Sequence, residues 1–528
     1  MDKILQAAQN HKKPESVKKY QYGTAGFRMN ANILDSVMFT TGILAALRSK
    51  YLGGKFIGIM ITASHNPPQD NGVKLVDPMG EMLEQHWEAY ATTLANAASP
   101  EVLVKEVREL IQNLKIDLKV PSNVIVARDS RESGPVLQQA AVDGLVAMEA
   151  NVKQFGVLTT PQLHFLVRNH NTGKPKVETS YYEYFSTAFK EIYQLIDGDS
   201  KPPIDIVIDA ANGIGAPKVE KLFDEYLKGK IHSYKVINDK YTHPETLNSH
   251  CGADFVKTNQ QLPQGISAIP DKLYASFDGD ADRVVFYFVN SANKFQLLDG
   301  DKISTLLARY FIKLVEQTGL KLSVGVVQTA YANGSSTNYL TQNLKLAVEC
   351  TPTGVKHLHH VAQKFDIGIY FEANGHGTVL FSENLIEQVS SSSDEHAFKK
   401  LYYFTQLINQ SVGDAISDLI TVLLIISDLQ LTPTEWNSAY ADLPNKLAKV
   451  IVKDRTEFKT TNAERTLIEP KGLQQKIDQE VKKVQLGRSF VRASGTEDAV
   501  RVYAEAKTQE EVIKLSEAVC ELVKEFAA

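Results

Sequence analysis

A serine and a histidine stand side by side in a polar segment that follows an apolar one. The polar segment, ITASHNPPQDNGVK, covers residues 61–74, and FIGIMIT before it is compact, apolar and rich in β-branched residues, which predicts a buried strand. Ser64, His65, two prolines, Asn71 and Gly72 predict an irregular loop after that strand. We expect the serine to be exposed there, either as a turn residue or as a nucleophile. No GxSxG surrounds it, which excludes a hydrolase elbow.

Three aspartates alternate with small residues in a second loop, FDGDADR, which lies between two apolar strands. The small residues let the backbone bend, so that Asp278, Asp280 and Asp282 converge. Three hard oxygen ligands on a short loop suit Mg²⁺ and leave positions for water or phosphate. An EF-hand is excluded, because Arg283 stands where that loop needs glycine and Val289 where it needs glutamate. The alternative is an acidic hairpin turn.

A third polar loop, EANGHG, follows the apolar strand GIYF. Glu372 and Asn374 carry hydrogen-bonding groups that suit sugar hydroxyls, and Gly375 lets the backbone approach a ligand closely. The alternative interpretation is a hairpin turn of the Asn-Gly kind.

A fourth loop, RASGTE, also follows an apolar strand. Arg492 and Arg501 offer planar guanidinium forks for phosphate, and Ser494, Gly495 and Thr496 offer hydroxyl and backbone N–H donors. The segment is therefore a candidate phosphate site, although a solvated loop is the alternative. It lacks the GxxxxGK[ST] pattern, which excludes a nucleotide site of the Walker type.

The composition indicates a soluble globular protein: 43% of the 528 residues are hydrophobic and 23% are charged. The net charge of −5 gives no sign of binding to nucleic acid or to a membrane surface. The 3 cysteines have no CxxC spacing, so we expect neither a disulfide framework nor a zinc site. The first residues lack an apolar signal region and the apolar run LITVLLII is too short to span a membrane, so we expect a cytoplasmic protein.

Apolar strands alternate with amphipathic helical stretches along the chain, which predicts layered α/β domains. We place the domain boundaries at residues 1–180, 181–297, 298–432 and 433–528. The last domain has a different pattern of strand, loop, strand and amphipathic helix. The segment DAANGIG, residues 209–215, lacks the third glycine and the acidic residue of a dinucleotide site, so it predicts a strand-to-helix turn.

Four other segments carry expectations about local structure. LLDGDKISTLLARYFIKLVEQ, residues 297–317, predicts one long helix, and SSSSDE, residues 390–395, predicts a surface loop. TPTEWNSAYADLPNK, residues 432–446, has the composition of a linker. HLHH, residues 357–360, is either a metal cluster or part of a helix, and we favour the helix.

Taken in order, TASHNP, FDGDADR, EANGHG and RASGTEDAVRVYAE resemble the motifs of the α-D-phosphohexomutase superfamily, and most closely its phosphoacetylglucosamine mutase family. The resemblance covers essentially the whole chain. It implies an α/β protein of four domains around a central cleft, with three related α/β domains and a smaller C-terminal α+β domain.

The resemblance also implies an activity, the conversion of N-acetylglucosamine 6-phosphate to N-acetylglucosamine 1-phosphate on the way to UDP-N-acetylglucosamine. The implied cofactors are Mg²⁺ and a sugar 1,6-bisphosphate intermediate, and the implied partner is a sugar phosphate. The implied catalytic residues are Ser64 as phosphoserine, with Arg28, His65 and Lys74 around the transferring group. The implied metal ligands are a phosphoserine oxygen, Asp278, Asp280 and Asp282. The implied substrate contacts are Arg283, Gly354 and Lys356 of TPTGVK, Glu372, Asn374, Gly375, Arg492, Ser494, Gly495, Thr496 and Arg501.

Three other functions remain open from the sequence. A phosphoglucomutase or phosphoglucosamine mutase would share the same motifs and differ in the sugar it prefers. A metal-dependent phosphatase could use the same serine and metal, but it would not need the arginine loop. A silent sugar-phosphate binding protein is disfavoured, because the serine and all three aspartates are present.

Overall fold

The structure, a computed structural model, describes residues 1–23, 26–196, 204–390, 395–494 and 499–527. The chain divides into two compact units. The first unit consists of residues 1–297 and 402–430, and the second of residues 298–401 and 431–528. Among the described residues, no helix combines the length and the apolar character that crossing a membrane requires.

The first sheet of the first unit contains the predicted strand FIGIMI. Its strands are β1 (Phe27–Asn30), β2 (Phe56–Ile61), β3 (Asp70–Val76), β4 (Asn123–Arg128) and β5 (Asn151–Val157), in the order β1-β3-β2-β4-β5. The accompanying helices are α1 (Asp2–Ala8), α2 (Asp35–Tyr51), α3 (Gln85–Ala95), α4 (Pro100–Asn113), α5 (Gly134–Ala147), α6 (Thr160–Thr172) and α7 (Thr179–Leu195). Strands β2, β4 and β5 run parallel, and β3 pairs with β2 in the antiparallel direction.

The loop after β2 is shorter than its composition predicts. Asn71 and Gly72 lie in β3 and not in the loop, and Arg28 of β1 pairs with Gly72. A β-carbon at Gly72 would lie 2.2 Å from the carbonyl oxygen of Phe27, so only glycine allows the strands to approach this closely. The irregular segment is therefore confined to residues 62–69.

The second sheet of the first unit carries the acidic loop. Its strands are β6 (Asp205–Asp209), β7 (Ser233–Ile237), β8 (Tyr274–Phe277), β9 (Val284–Val289) and β10 (Phe295–Leu298), in the order β10-β9-β8-β6-β7, with helices α8 (Gly215–Lys221) and α9 (Ala253–Asn259). Strands β6, β7 and β8 are parallel, and β9 is antiparallel to β8. The segment DAANGIG connects β6 to α8, where we expected a strand-to-helix turn.

The third sheet belongs to the second unit and, like the second sheet, combines three parallel strands with an antiparallel one. It consists of β11 (Val324–Thr329), β12 (Ala347–Thr351), β13 (Ile367–Phe371) and β14 (Gly377–Phe381), in the order β12-β11-β13-β14, with β14 antiparallel. The helices of this unit are α10 (Gly300–Thr318), α11 (Gly334–Asn338), α12 (Val355–Ala362), α13 (Glu383–Ser390) and the start of α14 (His396–Leu407). The end of α14 and all of α15 (Ala415–Asp428) belong to the first unit. HLHH lies in α12.

The C-terminal part of the second unit is smaller and has a mainly antiparallel sheet. It contains α16 (Pro433–Asn437), β15 (Asn445–Ile451), β16 (Lys459–Thr461), β17 (Thr466–Glu469), α17 (Leu473–Val481), β18 (Arg488–Ala493), β19 (Ala499–Glu505) and α18 (Gln509–Phe526). Strands β15, β19 and β18 form one sheet, and β16 and β17 form a separate hairpin. The predicted succession of strand, loop, strand and amphipathic helix corresponds to β18, β19 and α18.

Two expectations about local structure were wrong in detail. The long helix begins at Gly300, because Leu297 and Leu298 belong to β10 and the Asp299 carboxylate caps the helix by accepting from the backbone of Asp301 and Lys302. The expected linker contains α16, whose start is a capping box in which Thr432 and Glu435 satisfy each other's backbone N–H groups. Most of SSSSDE lies outside the described residues.

Candidate active site

Each of the four motif loops occupies the same kind of position, the connection of an antiparallel pair of neighbouring strands. Ser64 lies between β2 and β3, the aspartates lie between β8 and β9, and EANGHG lies between β13 and β14. The segment RASGTE lies at the connection of β18 and β19. The chain therefore places its chemistry-bearing loops at equivalent ends of four separate sheets.

The side chain of Ser64 points at the acidic loop. Its Oγ donates a hydrogen bond to Asp278 Oδ2 at 2.5 Å. The residue is buried, where we expected an exposed serine, because the acidic loop packs against it. Its φ of 53° lies in the left-handed region, which is uncommon for a residue with a β-carbon and is most often held by its surroundings at functional sites.

The three aspartates converge as their spacing predicts. One carboxylate oxygen from each of Asp278, Asp280 and Asp282 lies within 4.8 Å of the others, and all three residues are buried. Hydrogen bonds fix two of the carboxylates: Asp278 Oδ1 accepts from the backbone N–H groups of Asp282 and Arg283, and Asp280 Oδ2 accepts from two threonine hydroxyls. Asp280 Oδ1 is buried with no hydrogen-bond partner among the described residues. A buried set of hard oxygens with one unpaired oxygen fits a divalent cation such as Mg²⁺.

The electrostatics of this cluster favour a bound cation. Burial raises the pKa of Asp278 well above its usual range, and repulsion from Asp282 and Asp280 raises it further. Lys74 Nζ lies 3.1 Å from Asp282 Oδ2 and 3.8 Å from Asp280 Oδ2, so one lysine already offsets part of the negative charge. A divalent ion would offset the rest and would keep Asp278 ionised.

Basic groups also lie close to the aspartates and the serine. Arg283 Nε lies 3.8 Å from Asp278 Oδ2 and 3.6 Å from Asp282 Oδ1. Burial lowers the pKa of Arg28, and the nearby Arg283 lowers it further. Burial also lowers the pKa of His65 to about 2, with Arg283 and Arg28 adding to the effect, so the imidazole is neutral at pH 7. The predicted residues Arg28, His65, Lys74 and Arg283 therefore share one neighbourhood with Ser64.

Two glycines allow the acidic loop to approach the serine loop. A β-carbon at Gly279 would lie 2.6 Å from the carbonyl oxygen of Ser64, and one at Gly213 would lie 2.4 Å from the carbonyl oxygen of Gly279. Any side chain at position 279 would therefore push the aspartates away from Ser64. Gly213 belongs to DAANGIG, whose turn supports the acidic loop through a hydrogen bond from Ile214 N–H to Gly279 O at 3.2 Å.

Arg131, which the sequence did not mark as a site residue, contacts the backbone of the serine loop. Its side chain is fully buried and donates to four backbone carbonyl oxygens, those of Ser64, Asn66 and Pro67 in the loop and that of Asp70 at the start of β3, at 2.7 to 2.9 Å. Its Nε also donates to Asp129 Oδ2 at 3.1 Å. The only signal in the sequence is an arginine two residues after an aspartate at the end of a strand, which says nothing about a partner more than 60 positions away.

Thr62 connects the two loops through its hydroxyl group. The Thr62 Oγ1 atom lies 2.8 Å from Asp129 Oδ2 and 3.0 Å from Asp280 Oδ2, and it accepts from the backbone N–H of Ser64 at 3.1 Å. Asn248 adds a second link, since its Nδ2 donates to Ser64 O at 2.9 Å. Ser64 and the aspartates are therefore held by one continuous buried network.

Replacing Arg131 by lysine should disturb positioning more than stability. Lysine keeps a positive charge near Asp129 but cannot reach four carbonyl oxygens and one carboxylate with its three donors. We expect catalytic turnover to fall about 10- to 100-fold, the usual scale for residues that orient the groups of a site through a second contact. The measurements are turnover and the midpoint of thermal unfolding, with Arg108→Lys at an exposed position of α4 as the matched control. A loss of activity that only follows a collapse of the thermal midpoint would contradict the positioning role.

The second unit carries the other predicted site residues. Gly354 N–H donates to Glu372 Oε1 at 3.2 Å, and Asn374 Nδ2 donates to Glu372 Oε2 at 3.3 Å, so the TPTGVK and EANGHG loops lie together. Gly354 has a φ of 125°, and it precedes α12, whose second residue is Lys356. Gly375, with a φ of 88°, donates its N–H to Glu372 O at 2.9 Å and closes the turn. These contacts place a carboxylate, an amide and a lysine-bearing helix start in one region.

The two arginines of the fourth loop are cross-strand neighbours. Arg492 of β18 pairs with Arg501 of β19, so both side chains leave the same face of the sheet. Arg492 Nε donates to the Tyr331 hydroxyl at 2.9 Å. Ser494 is buried, and its N–H donates to Ala499 O at 2.8 Å. Gly495 and Thr496 lie outside the described residues.

Comparison with known proteins gives the family. Residues 171–285 and 299–431 match the families described as phosphoacetylglucosamine mutase AMG1, domain II and domain III. Residues 28–101 and 93–175 match phosphoglucomutase/phosphomannomutase, alpha/beta/alpha domain I, and residues 447–522 match the C-terminal domain of the same group. Together these matches give the four-domain phosphohexomutase architecture.

Relatives that match over nearly the whole chain are phosphoacetylglucosamine mutases. The chain is 56% identical to a phosphoacetylglucosamine mutase of Candida albicans, with 99% of both chains covered. It is 45% identical to a phosphoacetylglucosamine mutase of Homo sapiens, with 98% of this chain and 96% of that protein covered.

Solved structures that match the chain are also mutases of N-acetylglucosamine phosphate. A crystal structure of N-acetylglucosamine-phosphate mutase in the substrate complex is 56% identical, with 99% of both chains covered and a TM-score of 0.95. The Aspergillus fumigatus N-acetylphosphoglucosamine mutase in complex with GlcNAc-6P and magnesium is 47% identical, with 100% of this chain and 99% of that chain covered and a TM-score of 0.95. The chain therefore belongs to the phosphoacetylglucosamine mutase family of the α-D-phosphohexomutase superfamily.

Proposed function

We propose that this protein interconverts N-acetylglucosamine 6-phosphate and N-acetylglucosamine 1-phosphate through a phosphorylated Ser64 and a sugar 1,6-bisphosphate. The reaction supplies the 1-phosphate from which UDP-N-acetylglucosamine is made. The observation that carries the proposal is the 2.5 Å hydrogen bond between Ser64 Oγ and a buried triad of aspartates. The family of the chain supports the choice of sugar.

In the proposed first half-reaction, the bond between Ser64 Oγ and phosphorus breaks while a bond from a sugar hydroxyl oxygen to phosphorus forms. The sugar hydroxyl loses its proton in this step, and Ser64 Oγ gains a proton and becomes a hydroxyl group. Phosphoryl transfer depends mainly on positioning and on neutralising charge. The buried network around Thr62 and Arg131 fixes the serine, and Lys74, Arg28 and Arg283 bring positive charge to the transferring group. In the second half-reaction the bisphosphate, after turning over, returns its other phosphate to Ser64.

Asp278, Asp280 and Asp282 would hold Mg²⁺ together with an oxygen of the phosphoserine. When bound, the ion would withdraw negative charge from the phosphoryl group and make the serine oxygen a better leaving group. The carboxylates are ready for this role without rearrangement, because their partners already fix Asp278 and Asp280.

The second unit would bind the sugar and the phosphate that does not react. We assign Glu372, Asn374 and Gly375 to the sugar hydroxyls, with Gly354 and Lys356 beside them. We assign Arg492, Ser494, Gly495, Thr496 and Arg501 to the non-reacting phosphate. Hydrogen bonds from guanidinium groups suit a phosphate that must be bound from either end of the sugar in turn.

A comparison of substrates tests the proposal. The purified protein, primed with glucose 1,6-bisphosphate and Mg²⁺, is given N-acetylglucosamine 6-phosphate, glucose 1-phosphate or glucosamine 6-phosphate at equal concentrations. We expect the highest kcat/KM for the N-acetylated sugar and no accumulation of inorganic phosphate. A preference for another sugar would support one of the related mutases, and steady release of inorganic phosphate would support a phosphatase.

Replacing Arg501 by alanine tests the phosphate assignment. A hydrogen bond to a charged group contributes about 1.5–3 kcal/mol. We therefore expect kcat/KM to fall roughly 10- to 150-fold, since each ~1.4 kcal/mol corresponds to a factor of ten. Arg501→Lys should recover part of the loss, because it restores the charge but not the planar fork. Arg309→Ala, at an exposed position of the otherwise largely buried α10, is the matched control.

The decisive comparison for Arg501 uses N-acetylglucosamine, which lacks the distal phosphate, as the acceptor for phosphate from Ser64. If Arg501 binds that phosphate, wild type and Arg501→Ala should react with this truncated acceptor at similar rates. An equal difference on the truncated and the full substrate would show that Arg501 acts in another way.

A further inference from the structure

Glu464 forms an ion pair with Arg492, one of the two arginines that we assign to the non-reacting phosphate. Its Oε1 lies 3.3 Å from Arg492 Nη1, in a hydrogen-bonded ion pair. Glu464 lies at the turn between β16 and β17, outside every motif that the sequence analysis considered. A carboxylate and a phosphate present similar oxygen pairs to the guanidinium fork.

The other oxygen of the same carboxylate is held by the TPTGVK loop. Glu464 Oε2 accepts from the Thr353 backbone N–H at 2.9 Å and from the Thr353 hydroxyl at 2.5 Å. The neighbouring Gly354 contacts Glu372 of the sugar loop. Glu464 therefore joins the strand that carries Arg492 to the loop that precedes Lys356.

The backbone of the turn presents Glu464 in a fixed way. Asn462, Ala463 and Glu464 have φ values of 53°, 53° and 65°, three successive residues in the left-handed region. Arg465 braces the turn, because its Nε donates to Asn462 O at 3.0 Å and its Nη2 to Asn462 Oδ1 at 2.7 Å. Such a backbone persists only where its surroundings hold it, so the position of the carboxylate is a built feature of the hairpin.

We propose that Glu464 is an internal competitor for the phosphate site: its carboxylate binds Arg492 when no phosphate is present and gives way when the sugar phosphate binds. The inference rests on the proposed function, in which Arg492 holds the non-reacting phosphate. That phosphate must leave the site once in every turnover, so that the bisphosphate can turn over. When the Glu464 carboxylate pairs with Arg492 again, it weakens binding of the phosphate and favours release of the phosphate.

The expected size of the competition follows from the exposure of the pair. The side chains of Arg492 and Glu464 are 20% and 19% exposed, so the ion pair is partly screened by solvent. Partly exposed pairs change an equilibrium by about two- to fivefold. Removing the charge of Glu464 should therefore strengthen binding of the sugar phosphate by about two- to fivefold.

The test measures the Kd of N-acetylglucosamine 6-phosphate by titration calorimetry, with Ser64→Ala in every protein to prevent turnover. Glu464→Gln keeps the size of the side chain and an oxygen for Thr353 but loses the charge, so Kd should fall about two- to fivefold. Glu469→Gln is the matched control, because Glu469 lies on β17 of the same hairpin and pairs with Lys459 at 2.8 Å. Its Kd should not change.

A double substitution separates competition from a general effect on the hairpin. With Arg492→Ala in place, Glu464→Gln should no longer strengthen binding, since there is no arginine to compete for. Two results together would overturn the competition and leave the proposed function intact: an unchanged or higher Kd for Glu464→Gln, and a higher Kd for Arg492→Ala. If Arg492→Ala leaves Kd unchanged, the phosphate assignment fails and the competition fails with it.

Discussion

Ser64→Ala should reduce mutase turnover by about 10⁴-fold or more, the scale on which enzymes lose activity when a nucleophile is removed. The substitution deletes one buried oxygen whose hydrogen bond goes to Asp278, and alanine leaves the backbone contacts of the loop to Arg131 and Asn248 in place. We therefore expect the protein to fold and to bind N-acetylglucosamine 6-phosphate. The measurement is the rate of formation of the 1-phosphate from the 6-phosphate.

The same protein gives a direct readout of the covalent intermediate. After incubation with glucose 1,6-bisphosphate, intact mass and peptide mapping should find one phosphate on the peptide that contains Ser64 in the wild type and none in Ser64→Ala. Ser291→Ala, at an exposed turn between β9 and β10, is the matched control and should keep full labelling and activity. Near-normal turnover in Ser64→Ala, or a phosphate on another serine, would refute the assignment.

Asp280→Asn should lower kcat on the order of 100-fold or more, the scale for losing one preorganised charge contact to a transition state. Asparagine keeps one oxygen to accept from Thr62 and Thr160, so the loop should hold its shape. It loses the negative charge that a hard cation needs, so the Mg²⁺ concentration for half-maximal activity should rise together with the fall in kcat.

The metal assignment has its own controls. Asp239→Asn makes the same chemical change at an exposed position of the same unit and should leave the Mg²⁺ dependence unchanged. Ca²⁺ should compete with Mg²⁺ but support little turnover, because it accepts larger and looser coordination. Full activity of the wild type after thorough chelation would be incompatible with a metal at the aspartate triad.

Local patterns were sufficient to predict most of the elements that carry the site. The strand FIGIMI is β2, the apolar segments on either side of the aspartates are β8 and β9, and HLHH lies on α12. These predictions succeed because burial and periodicity are properties of neighbouring residues. The convergence of the three aspartates is also local, since they alternate with small residues in one short loop.

The contacts that position the site could not be predicted in this way. Arg131 meets the loop carbonyls, and Gly279 meets Ser64 O, only because separate strands bring them together. Nothing in the spacing of Glu464 relates it to Arg492, 28 positions later. The burial of Ser64 has the same origin, because the loop that covers it comes from the second sheet. Long-range contacts of this kind depend on topology, which periodicity does not report.

The way Arg131 binds the serine loop has a consequence for how this loop tolerates change. The guanidinium recognises the loop through carbonyl oxygens, which every amino acid supplies, and through none of its side chains. The shape of the loop is thereby separated from the identity of its residues. Exposed positions such as Gln69 are open to substitution by evolution or by design, while the scaffold keeps the phosphate acceptor in place. A protein engineer could recode the rim of this loop to admit a different sugar, provided that Arg131 and the buried aspartate beneath it are left untouched.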